Sequence, residues 1–181
     1  MKKIFSLLVV TIFALSVSCT LLGKGAPTTP STPTLAPGSI KGILWHELCE
    51  FSGGEAGEPL VLGQGCEQWG TAAEKFGPNQ LKDEFESGWA GVTFHLGSGA
   101  CPSTGLATAI TNASGEYEFE ELSAGTYCIS YSNLTDGNDA ILIPGEPTFP
   151  SRGDGGFFIT VDLSSGEERI VNFGYAWQFY Y

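Results

Sequence analysis

Outside one long interruption, the chain from Gly38 to Tyr175 runs in short stretches of alternating apolar and polar residues, each closed by a turn signal. A period of two places every second side chain on one face of an extended strand, a pattern that no helix can bury. Val92-Thr93-Phe94-His95-Leu96 sends Val92, Phe94 and Leu96 to one face. Tyr117-Glu118-Phe119-Glu120 turns its aromatic residues inward and its glutamates to water. Residues 40–45 are expected to form a first strand, and 106–111 a third that ends at Asn112-Ala113-Ser114-Gly115. Residues 126–131 follow the turn Ala124-Gly125, and 158–163 and 169–175 are joined by Ser164-Ser165-Gly166. Seven such strands predict an all-β, antiparallel β-sandwich. The 25 glycines suit a chain that turns this often, and no internal repeat is visible.

The interruption spans 47–88, directly after the first strand. It holds six glycines before residue 71 and nine of the twenty acidic residues, so it is a long acidic insertion. Residues 71–76 and 79–85 are each expected to form one helical turn. A loop this long in a compact domain is either functional or stapled. Cys49 and Cys66 lie within it, and a bridge between them would close its first half. With Cys101 and Cys128 they make four cysteines, which in an exported chain implies disulfides. Spacing alone allows three connectivities. No Cys-x-x-Cys pair is present, and neither histidine is near enough in sequence to suggest zinc.

Export is indicated by the start of the chain. Lys2 and Lys3 precede an apolar run over 4–17, shorter than the roughly 18–20 residues that span a bilayer, so 1–18 reads as a cleaved signal peptide. Ser16-Val17-Ser18-Cys19 resembles the lipobox of bacterial lipoproteins, with Cys19 as the lipidated residue. Ordinary cleavage, with Cys19 as a plain thiol, is the alternative. Residues 19–37 carry Pro27, Pro30, Pro33 and Pro37 among many threonines, a composition that makes a solvated tether rather than a core. Loss of Lys2 and Lys3 leaves six basic residues against twenty acidic ones. Such a chain is repelled by nucleic acid and anionic headgroups, so no nucleic acid is expected as a partner and membrane contact comes only through the lipid.

Four blocks over 38–175 carry a family resemblance. They are Gly38-Ser39-Ile40-Lys41-Gly42-Ile43-Leu44-Trp45; Asp83-Glu84-Phe85-Glu86-Ser87-Gly88-Trp89-Ala90-Gly91-Val92-Thr93-Phe94-His95-Leu96; Asn112-Ala113-Ser114-Gly115-Glu116-Tyr117-Glu118-Phe119-Glu120-Glu121-Leu122; and Val171-Asn172-Phe173-Gly174-Tyr175. In order and type they resemble the B-type domain of serine–aspartate-repeat surface proteins, relatives of collagen-adhesin B-type and prealbumin-like sandwiches. The resemblance implies a seven-stranded prealbumin-like (Ig-like) fold over 38–181 and an extracellular structural or adhesive role. In that family an acidic loop after the first tryptophan binds calcium. Here the loop is Glu47-Leu48-Cys49-Glu50-Phe51-Ser52, which leaves Glu47, Asp83 and Glu86 as the calcium set and no other cofactor expected; the alternative is a disulfide in the metal's place. The resemblance also makes the strands at 92–96 and 127–129 neighbours. Cys101 then reaches Cys128, whose phase opposite Tyr127 and Ile129 points it outward, and the favoured pairing is 49–66 with 101–128. An isopeptide bond between Lys41 and Asn172, known in some relatives, is disfavoured because both are out of phase with the core.

Other candidates have plainer readings beside them. Arg152-Gly153-Asp154 is an integrin-type tripeptide, of a kind that arises often by chance. Asn112-Ala113-Ser114 and Asn133-Leu134-Thr135 match a glycosylation sequon of little meaning in a bacterial lipoprotein. Trp45, Trp69, Trp89 and Trp177, with Phe179, Tyr180 and Tyr181, are candidates for a sugar platform, although aromatics serve core packing more commonly. No catalytic motif is found, and the adjacent Glu120 and Glu121 point to opposite faces of a strand. The expectation is a lipid-anchored structural or adhesive domain at the cell surface, not an enzyme, whose partner is an unidentified surface protein or glycan. The alternative is a carbohydrate- or peptide-binding accessory domain.

Overall fold

The computed structural model describes residues 35–53, 58–68 and 76–177. The signal segment, Cys19, most of the tether, Trp69 and the aromatic residues at 179–181 lie outside these. In chain order the strands are β1 (Gly38–His46), β2 (Phe51–Ser52), β3 (Val61–Leu62), β4 (Cys66–Gln68), β5 (Phe76–Pro78), β6 (Thr93–Ser98), β7 (Ala107–Ile110), β8 (Glu116–Leu122) and β9 (Gly125–Tyr131). A single helical turn α1 (Asp139–Leu142), β10 (Glu146–Phe149), a 3-10 turn (Gly153–Phe157), β11 (Phe158–Leu163), β12 (Glu168–Ile170) and β13 (Phe173–Ala176) complete the described chain.

Two sheets carry the core. One is built on β1, with β8 on one edge and β12 then β13 on the other, and β10 beyond β13. The second has the order β11-β9-β6-β7. Alternation decides the inner faces, as the sequence implies: Ile40, Leu44, Tyr117, Phe119 and Phe173 bury against Phe94, Leu96, Tyr127, Ile129 and Val161. Phe94 and Tyr117 stack across the sheets, ring centroids 4.2 Å apart and 10° from parallel. Each such aromatic pair adds about 0.5–1.5 kcal/mol beyond its buried area.

The all-β class stands, with two corrections. β1 runs parallel to both β12 and β13, so the sandwich is not wholly antiparallel. The turn at 164–167 carries the chain across to the other sheet instead of back along β11, bringing Glu168 in beside Ser39 in the direction of β1. The strand expected over 169–175 is broken at Val171-Asn172. There the Val171 N–H donates to the Lys41 carbonyl (2.8 Å), and Asn172 Oδ1 accepts the Ile43 N–H (3.1 Å), filling the ladder place that the break leaves. Gly42 is required at this exchange of partners, because a Cβ on it would lie 1.7 Å from the Val171 carbonyl oxygen.

The strand count also exceeds seven. β10 escapes a sequence reading because Pro144, Pro147 and Pro150 mask it, and proline suits only an edge strand such as this one. In the insertion, β2–β3 and β4–β5 form two small hairpins. Residues 79–85 make turns rather than a helix, since Asn79 Oδ1 accepts the Leu81 N–H (2.9 Å) and competes with helical bonding. Of 71–76, only Phe76 is described, and it opens β5.

Candidate functional site

The insertion returns to the end of β1, where the Ser87 carbonyl accepts the His46 N–H (2.8 Å), and Glu47 lies buried beside it. The Glu47 N–H donates to the Tyr175 carbonyl (2.9 Å), which fixes the residue beside β13, and its side chain is 0% exposed. The Thr148 hydroxyl of β10 and the Gln80 amide lie nearest, yet neither carboxylate oxygen closes a hydrogen bond of good geometry, and Thr148 Oγ1 is itself unpartnered. Burial pushes the Glu47 carboxyl up to about 7, and nearby Glu86 adds to the rise. Thr148, Arg152 and the Gln80 amide oppose it.

Glu86 is buried as well, but its oxygens are engaged. Oε1 accepts the Leu48 N–H (2.8 Å) and Oε2 the Asp83 N–H (2.9 Å), while burial raises its pKa. Asp83 turns its carboxylate to the Asn79 side-chain amide (2.9 Å). The expected calcium set of Glu47, Asp83 and Glu86 therefore does not converge. Calcium needs about six to eight oxygens. Glu86 is occupied by backbone amides and Asp83 by Asn79, and among the described residues no group of three or more His, Cys, Asp or Glu is placed to hold a metal. These residues do not fit the ion; side-chain bonds to backbone fold the loop where a metal was expected.

Two bridges staple the domain, Cys49–Cys66 and Cys101–Cys128. Cys128 lies on the outer face of its sheet, in the phase its neighbours imply, but it is buried because the 99–105 loop folds over it. Arg152 belongs to the insertion's attachment. Its guanidinium donates to Glu67 Oε1 (2.8 Å) and to the Pro78 carbonyl, tying the 3-10 turn to β4–β5. An Arg-Gly-Asp segment held this way offers no free arginine to a receptor. Arg152→Ala is expected to loosen the β4–β5 hairpin at a cost of about 1 kcal/mol, since the ion pair is partly solvated. Urea unfolding, with faster proteolysis inside 66–78, would register it; unchanged proteolysis would mean the hairpin is held elsewhere.

Among the described residues the tryptophans do not make one platform. Trp45 is interior, its ring 5.5 Å from Phe149. His46, Trp89 and Trp177 pack on one another at 4.5, 4.7 and 5.7 Å between centroids, and Trp177 donates to the Leu142 carbonyl (2.9 Å). Within this cluster Trp177 keeps 43% of its surface open. His46 Nε2 is buried without a partner, and burial lowers its pKa. Lys41 and Asn172 are apart in role: Lys41 pairs with Glu168 (2.8 Å), and Asn172 bonds Ile43. A second pair, His95 Nε2 with Asp136 Oδ2 (2.9 Å), leaves no local signal because 41 residues separate the two. Thr135, then His95, holds the Asp136 carboxyl below its usual range. The pair sits on the outer face of β6, beside Ser130 and Thr108 in the register, with no buried donor set around it.

No family model and no curated protein matches the chain. Among solved structures it is similar to GBS52, the minor pilin of the Gram-positive pathogen Streptococcus agalactiae, at 10% identity and a TM-score of 0.39. The match covers 78% of this chain and 45% of that one, so the chain spans less than half the length of the pilin.

Proposed function

We propose that this chain is an exported surface domain with a structural or adhesive role and no catalysis, anchored through a lipid on Cys19. The observation that carries the reading is the pair of bridges, Cys49–Cys66 and Cys101–Cys128, which persist in an oxidising compartment outside the cytoplasm. A sandwich whose Glu47 carboxyl is closed off from solvent, and whose one His–Asp pair among the described residues lies on an open sheet face, offers rigid surfaces rather than a reaction cleft. The block from Gly38 to Trp45 and the one from Asn112 to Leu122 support kinship with the serine–aspartate-repeat B-type domains.

Fractionation of cells producing the full chain tests this. The expected result is a membrane-bound chain, cleaved by protease added to intact cells, oxidised at four cysteines, and released by Cys19→Ala. A cytoplasmic chain with free thiols would overturn export. An oxidised chain that leaves the membrane with Cys19 intact would overturn the lipid alone. The accessory reading, sugar or peptide binding, is favoured by the open face of Trp177; glycan binding lost in Trp177→Ala would establish it.

A further inference from the structure

Among the described residues β7 pairs with β6 alone and forms one edge of its sheet. The bond from the Thr111 N–H to the Val92 carbonyl (2.9 Å) sets the phase of the antiparallel ladder. Ala109 therefore bonds toward β6, while Thr108 and Ile110 aim their amide and carbonyl groups away from it. Such an edge is a template for another strand unless something blunts it. Beside it lies a groove of about 810 Å³, walled by β7 and floored by Lys41, Ile43, Glu116, Glu118, Ile170 and Asn172. Ile110 and Ile170, at 66% and 65% exposure, leave apolar surface in this groove uncovered.

The charge around the groove is one-sided. β8 turns Glu116, Glu118 and Glu120 outward, and Glu121, Glu167 and Glu168 continue the stripe. Against these six carboxylates stand Lys41 and Arg169, already paired with Glu168 and Glu167, which leaves four negative charges. A second copy would bring the same stripe against itself, in a chain of formal charge −12. Repulsion at that distance disfavours self-pairing.

We infer that the open edge of β7 and its acidic groove accept an extended basic peptide of a partner protein as an added strand. Main-chain bonds to Thr108 and Ile110 supply the affinity, and lysines or arginines alternating with apolar residues meet the glutamates and the isoleucines. This deepens the surface-domain reading and rests on it.

The probe is a fluorescent peptide of alternating lysine and valine, titrated into the oxidised full chain, beside the same peptide N-methylated at alternate amides. Saturable binding is expected, weakened about tenfold or more by Glu118→Lys, by N-methylation, and by raised salt. Equal affinity for both peptides would overturn the inference, because it would mean charge alone. Concentration-dependent dimers abolished by Thr108→Pro would also overturn it, making a second copy the occupant. Since fractionation reports on surface location independently, a chain that reaches the surface yet ignores the peptide sinks only this inference.

Discussion

Glu47→Gln is expected to remove most of the pH dependence of stability between about 4.5 and 7, and to leave the domain more stable than its parent above that range. The carboxyl is fully buried and its ionised form has no well-formed partner, so the folded state favours the proton. Below about 4.5 the group is protonated in folded and unfolded chains alike and costs nothing extra. As pH rises, the unfolded chain ionises first, and stability falls until the folded group titrates near 7. The gap from 4.5 to about 7 is worth on the order of 3 kcal/mol. Glutamine removes that penalty but leaves an amide to be satisfied, with Thr148 beside it, at about 1 kcal/mol. Glu86 and Glu146, raised in the same direction by burial, keep a smaller slope of the same sign. Urea unfolding of both chains from pH 4.5 to 8.5 checks this. A parent chain as stable at pH 8 as at pH 5 would mean that ionised Glu47 has a partner.

That site was half legible in the sequence. Glu86 lies in a block that resembles the surface-protein family and Glu47 in the loop after the first block, and they do lie near one another. The Glu47 neighbour Thr148 lies on a strand hidden by its prolines and a hundred residues away in the chain. The inner faces at 92–96 and 117–120 were readable because period two survives wherever one face is buried. The parallel pairing of β1 with β12 and β13 was not, because partner choice is set by where a crossover delivers the chain and leaves no local trace. Gly42 is the exception: its place in the first block follows from the approach of the Val171 carbonyl.

Cys101→Ala/Cys128→Ala is expected to cost about 3–4 kcal/mol, from the unfolded-state freedom restored across a separation of 27 residues. At a urea slope of about 1.5–2 kcal/mol/M, the midpoint would drop by about 2 M. The bridge ties the hairpin loop between β6 and β7 to the middle of β9, so releasing it affects three strands of the sheet rather than one loop. Polar bonds assist the loop: Cys101 N–H donates to Thr160 Oγ1 (3.0 Å), and Gly99 N–H to the Thr126 carbonyl (2.7 Å). Beneath it, a Cβ on Gly97 would lie 2.1 Å from Ser103, a measure of how closely the loop sits on the strand. These contacts are local and cannot restrict the unfolded chain, which is where the bridge acts. A loss below about 1 kcal/mol would show that the loop's own bonds hold the native state and that the unfolded chain is already restricted there. Cys49→Ala/Cys66→Ala makes the contrast. Loop length alone gives about 3 kcal/mol for its separation of 17, but that bridge lies within an insertion that contributes little to the main core. Its global cost should therefore be the smaller of the two, with the difference appearing as faster hydrogen exchange in β4 and β5. Equal global costs would mean that the insertion unfolds in one step with the sandwich.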